Sequence, residues 1–221
     1  MPWPRTLAAM PDQPLDARER AELCDLFVAK GPDAPTLCEG WTTLDLAAHL
    51  LFRETDPRAG LAIVGGHRFS SLETKLMDRV RAQGYERIVD RLRTGPPLVP
   101  WRVPGLRPLL NLNEWFVHHE DVRRPNGLGP RTDRPDLDAV LWANLGRMGR
   151  FMLRRVKGTS VALEAPGFGE VPARGDGPEV RLVGGPQELV LYLNGRRTGA
   201  EVEISGPEAA REALAVAPLG F

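Results

Sequence analysis

Two of the chain's four histidines stand side by side, in the segment Asn113-Glu-Trp-Phe-Val-His-His-Glu-Asp-Val122. On an α-helix each residue is turned about 100° from the last, so Glu114 and His118, four positions apart, share one face. Asn111 and Asp121 fall on the same stripe, while His119 is turned away from it, nearer Leu112 and Trp115. The stripe borders an apolar side made by Leu112, Trp115, Phe116 and Val122. A carboxylate and an imidazole one turn apart at the edge of a core can supply two neighbouring ligands to one metal ion, and bundle proteins build metal sites this way, from facing helices. The same spacing also describes a solvated pair on a helix surface. The segment alone leaves both readings open.

A third ligand has to come from elsewhere. His49 sits in Gly40-Trp-Thr-Thr-Leu-Asp-Leu-Ala-Ala-His-Leu50, where Leu44, Ala47, Ala48 and Leu51 make an apolar stripe at helical spacing that Leu46 and Leu50 widen. His49 shares the narrow remaining face with Asp45 and Arg53. Periodicity by itself turns that face to solvent. The alternative is that it lines a cleft, with Asp45 one turn before His49 and placed to orient its ring. Thr42 and Asp45 also have the spacing of a capping box, a purely structural use of the same carboxylate.

Other reactive residues suggest less. Cys24 and Cys38 lack CxxC spacing and have no histidine near them in sequence, so both read as small buried thiols, reduced rather than bridged. His67 reads as a surface loop residue. There is no G-x-S-x-G elbow, no P-loop and no G-x-G-x-x-G after a strand, so serine-hydrolase, NTPase and dinucleotide chemistries lack support.

The elements that must carry these residues are mostly helical up to about residue 156. Asp16 can cap a helix through Ala29 that ends at Gly31-Pro32, and Thr42 opens a second that Pro57 stops or kinks. A third stretch runs from Ser71 to Arg93 with a break near Gly84. Five prolines around Trp101 then make a stiff connector to a fourth helix, Leu109 to about Arg123, and a Pro/Gly-rich link leads to a fifth, Asp136 to Val156. Beyond Gly158 the pattern changes. Val161–Leu163 and Val180–Val183 read as short strands separated by Gly-rich turns. Pro186 starts a helix to about Arg196, Glu201 to Ser205 alternates as a strand, and Pro207 begins a last helix. The expected fold is a helical bundle with a four-helix core over 15–157, followed by a small α+β domain over 158–221, after a poorly ordered lead-in, 1–14.

Composition narrows the partners. Lys+Arg and Asp+Glu both number 29, so no global field favours nucleic acid or an anionic membrane. No apolar run of about 18 residues suggests a membrane span. The N-terminus lacks the charged start and apolar core of a secretory signal, which makes the cytoplasm the expected location, and Met10 is an alternative start. Only Lys30, Lys75 and Lys157 are lysines among the 29 basic residues, a bias that fits a GC-rich genome.

The Gly-Trp-Thr-x3-Leu-Ala-x-His-Leu and Glu-x3-His-x2-Asp-Val stretches resemble the N-terminal region of the mycothiol-dependent maleylpyruvate isomerase family, one of the DinB-like metalloprotein bundles. Leu-Cys-Asp-Leu and Pro-Thr-Leu-Cys-Glu-Gly-Trp-Thr resemble its actinobacterial metal-binding branch, and Gly185 to Arg196 is similar to the small C-terminal domain of such isomerases. The resemblance implies that His49, Glu114 and His118 take the places of the family's metal ligands. It also places Asp121 at an acidic position that either orients His118 or faces solvent.

Two imidazoles and one carboxylate leave coordination positions open, and zinc suits the set, with Ni, Co or Fe also compatible. The resemblance further implies mycothiol as co-substrate and a metal-dependent thiol transferase or isomerase acting on a small electrophile. Trp115, Arg53 and Arg123 are then candidates to wall the pocket and receive an anionic substrate. The rival expectation is a metal-binding sensor or interaction module without catalysis. The bundle could work as a monomer or as a homodimer.

Overall fold

In the computed structural model the described residues are 13–56, 70–95 and 111–220. Expectations for most of the lead-in, for His67 and for the proline-rich connector concern residues outside these ranges.

Helix α1 (Leu15–Lys30) follows Pro14 and ends at Gly31, whose φ of 78° suits glycine. Asp16 lies in its first turn rather than at the cap, where a negative charge still favours the helix dipole. Helix α2 (Thr43–Thr55) begins with the expected capping box. The Thr42 N–H donates to Asp45 Oδ2 at 2.8 Å and the Thr42 hydroxyl donates to the same oxygen at 2.9 Å. It stops at Asp56, just before Pro57, because a residue preceding proline is driven out of the α region. The third helical stretch is two helices, α3 (Ser70–Arg81) and α4 (Tyr85–Thr94), parted at Gly84 with φ 88°. Helix α5 (Asn113–Arg123) is entered through a π-type turn at Asn111 and Leu112.

The apolar faces of α1, α2, α4 and α5 close over one core. Leu23, Phe27, Leu46, Leu50, Ile88, Leu92 and Trp115 are all fully buried there. Arg20 is enclosed with them, and one of its guanidinium nitrogens donates to Glu54 Oε2 at 2.7 Å while also reaching Leu92 O at 3.0 Å. A second nitrogen meets Glu54 Oε1. This pair ties α1 to α2 and α4. Burial still dominates at Glu54 and holds its carboxyl above the usual carboxylate range, despite Arg20.

The chain divides into two compact units between Pro130 and Arg131. Helix α6 (Pro135–Met152), expected from the sequence to be part of the bundle, therefore belongs to the second unit. It packs on α7 (Pro186–Leu193), where Gln187 Nε2 donates to Asp138 Oδ1 at 3.0 Å and to Arg131 O at 2.9 Å. Apolar periodicity shows that α6 has a face to bury, but not which neighbour covers it.

The sheet of the second unit has the order β2-β1-β3-β4, built from β1 (Ser160–Ala165), β2 (Gly169–Gly175), β3 (Glu179–Val183) and β4 (Glu203–Ser205). β1 pairs antiparallel with β2 and parallel with β3, and β3 pairs antiparallel with β4. The sequence pattern does not single out β2, which contains Pro172. An edge position tolerates a proline that a central strand would not. Val180 and Leu182 point into the core, whereas Arg181 between them meets Glu164, Glu170 and Glu179 on the outer face. A final helix, α8 (Glu208–Val216), packs on β3. No described helix is long and apolar enough to cross a membrane.

Candidate metal centre

Helix α5 turns Glu114 and His118 toward α2, and α2 presents His49 and Arg53 in return. His118 Nε2 lies 3.3 Å from Glu114 Oε1, and His49 Nε2 lies 3.7 Å from the same oxygen. The two imidazole rings are 5.4 Å apart between centroids, inclined at 70°. One ligand atom from each of the three residues falls within 4.8 Å of the others. Metal bonds of about 2.0–2.2 Å separate neighbouring ligand atoms by roughly 3.0–3.5 Å, so only small side-chain shifts separate this arrangement from a coordinating one. The trio fits a divalent ion in both donor chemistry and spacing.

Each member is held differently. His118 Nδ1 lies 2.8 Å from Asp121 Oδ2, and Asp121 is fully buried. An ionised carboxylate only accepts, so Nδ1–H donates and Nε2 is the nitrogen left facing Glu114 and His49. Burial would lower the His118 pKa. Asp121 first, then Cys38 and Glu114, outweigh it and hold the imidazolium well above the usual histidine range. Burial would likewise raise the Glu114 carboxyl, but Arg53 and the two imidazoles keep it well below the usual carboxylate range. Arg53 Nε is 3.1 Å from Glu114 Oε1.

His49 has no such carboxylate. Its Nδ1 is buried without a hydrogen-bond partner among the described residues, and the ring is held instead by Trp41, whose centroid lies 5.2 Å away. Asp45 does not orient it. One Asp45 oxygen caps α2 and the other meets Arg81 at 2.6 Å, so the capping reading of this carboxylate prevails over a role beside His49. Against burial, hydrogen bonds from the Thr42 backbone N–H and hydroxyl hold the Asp45 carboxyl below its ordinary range, with Arg81 adding to the effect.

Two of the residues considered for substrate contact lie elsewhere. Trp115 is fully buried in the core with the Arg20 guanidinium 4.2 Å over its ring, and offers no surface to a ligand. Arg123 pairs with Glu120 at 3.0 Å and donates to Gly129 O at 3.1 Å, neither of which belongs to the trio. Arg53 alone of the three stands beside it.

Cys24 and Cys38, both free thiols, separate into different roles. Cys24 is a fully buried core residue, and burial pushes its pKa up to about 12. Cys38 is not the isolated apolar thiol that its sequence context suggests, because its Sγ lies 3.2 Å from Asp121 Oδ2. Linear spacing gives no sign of this, since the partner lies 83 residues away. Nor does the sequence mark Trp41 as a neighbour of His49, although its place just before the helix cap is a usable signal.

Two more donor groups have comparable reach: Cys38, His118 and Asp121, and, on the other side of α5, Glu19, Glu22 and His119. In the latter His119 Nδ1 lies 3.0 Å from Glu19 Oε2, with both residues buried.

No family model matches the chain, and no curated protein matches it by sequence. Among solved structures it is similar to the crystal structure of the mycothiol-dependent maleylpyruvate isomerase, at 20% identity and a TM-score of 0.50, over 88% of this chain and 94% of that one. A mutant of the same enzyme matches at 19% identity and a TM-score of 0.48, with the same coverage. At this identity what is shared is the fold, over nearly the full length of the isomerase.

Proposed function

We propose that the first compact unit binds one divalent metal ion through His49, Glu114 and His118, and that the protein is a thiol-dependent transferase or isomerase acting on a small electrophile. The observation that carries the reading is the meeting of two imidazole nitrogens, one from each of two helices, at ligand-like spacing around one Glu114 carboxylate oxygen. The fold likeness to an enzyme described as mycothiol-dependent supports the choice of a low-molecular-weight thiol as co-substrate.

A bound divalent ion supplies Lewis acidity that lowers the pKa of a thiol at a coordination position the three side chains leave open. The chain's own residues do the rest. Asp121 orients His118, Trp41 walls the His49 side, and Arg53 sets a positive charge beside Glu114, which suits an electrophile carrying a carboxylate. Zn(II) is the first choice for two imidazoles and one carboxylate, with Ni(II), Co(II) and Fe(II) sharing the donor set.

Elemental analysis of the wild type beside His49→Ala and His118→Ala tests the site, and equal metal in all three rules it out. Incubation with mycothiol and a panel of electrophiles, with and without chelator, tests the chemistry. Thiol consumption that chelator abolishes is the expected result. Metal bound without any such consumption would leave a non-catalytic metal module.

A further inference from the structure

The loop between α1 and α2 carries a thiol that the chemistry above does not use. Cys38 Sγ and His118 Nδ1 both approach the same oxygen, Asp121 Oδ2, at 3.2 Å and 2.8 Å. Asp121 sits with no exposure to solvent. Its carboxylate has no proton to give, so Cys38 donates through S–H and His118 through Nδ1–H. The residue before Cys38 is tied to the same place, because the Leu37 N–H donates to the Asp121 carbonyl oxygen at 2.9 Å. The loop also braces itself. The Thr36 hydroxyl donates to Trp41 O at 2.9 Å, and Trp41 is the ring that packs on His49.

We propose that Cys38 is a positioning residue for the metal centre: by donating to Asp121, its thiol fixes the carboxylate that aims His118 Nε2 at His49 and Glu114. The inference rests on the metal-binding reading of the trio. Consecutive loop residues hold Asp121 by its main chain and by its side chain, so neither the backbone nor the carboxylate rotamer is free to drift.

The test uses the full chain with Cys38→Ala and Cys38→Ser. Zn(II) affinity is read by competition with a chromophoric chelator. The His118 Nδ1–H resonance is followed by nitrogen-edited NMR in the metal-free and Zn(II)-loaded protein. Cys38→Ala is expected to weaken Zn(II) binding about tenfold, the lower end of what outer-sphere partners contribute, and to shift or broaden the Nδ1–H signal. Cys38→Ser is expected to restore both toward wild type, since a hydroxyl donates along the same line at its shorter preferred distance of about 2.7–2.8 Å. Unchanged affinity and resonance in Cys38→Ala overturn the proposal, as does an equal loss in both variants, which would mark Cys38 as packing alone. If the wild type takes up no metal, the metal reading fails by itself. The metal-free Nδ1–H comparison then still decides whether Cys38 orders Asp121 and His118.

Discussion

The two sides of α5 pose the same problem and solve it differently. His118 and His119 are adjacent, both buried, and each sets Nδ1 against a carboxylate, Asp121 at 2.8 Å and Glu19 at 3.0 Å. On the His118 side the carboxylate comes from the same helix, and the second ring nitrogen faces donors from α5 and α2. On the His119 side the carboxylate comes from α1, so the hydrogen bond itself joins the two helices. Burial and carboxylate pairing thus do not distinguish a candidate ligand from a contact that joins two helices. What the His118 side shows is that an orienting partner on Nδ1 can leave the other nitrogen directed at donors from two helices.

The largest effect expected from this contrast is on metal content. His118→Ala should take the protein from about one ion per chain to nearly none, while His119→Ala should leave the content unchanged by elemental analysis. Two ions per wild-type chain, one of them lost with His119, would break the contrast by making Glu19, Glu22 and His119 a second site. Stability should respond in the opposite sense. His119→Ala removes the imidazole hydrogen-bonded to buried Glu19 and should cost about 1–3 kcal/mol in denaturant unfolding, the range for a buried polar group that loses its hydrogen-bond partner.

A smaller effect concerns the orienting carboxylate. Asp121→Asn should weaken Zn(II) binding about 10–100-fold without abolishing it, as read by chelator competition. An affinity equal to wild type would show that the 2.8 Å contact does not aim the ring. The smallest effect belongs to Asp45. Asp45→Ala should lower stability by about 1 kcal/mol through loss of the helix cap and leave metal affinity untouched. A drop in affinity there would return Asp45 to the neighbourhood of His49.

Much of this layout is legible in the amino-acid order alone. The Thr42–Asp45 cap, the break at Gly84 and the shared face of Glu114 and His118 all depend on residues within a turn of one another. Where the sequence misleads, the partner is distant. Asp45 matches His49 on its own helix, but Arg81 on α3 takes its free oxygen. Trp115 has the residue type of a pocket wall, yet Arg20 and the core of four helices enclose it. Periodicity turns His49 to solvent because it carries no information that α5 lies opposite.

The sequence by itself determined most helix starts and stops to within a few residues and which residues share a face, since caps, glycine conformations and the 3.6-residue repeat are local physics, while helices such as α6 and α7 end earlier than their pattern suggests. Tertiary structure alone decided that Cys38 meets Asp121, that His49 meets Glu114, and that α6 joins the sheet unit. Those pairings depend on which apolar faces are buried against each other. Hydrophobic burial is non-directional, so the composition of a face does not name its partner.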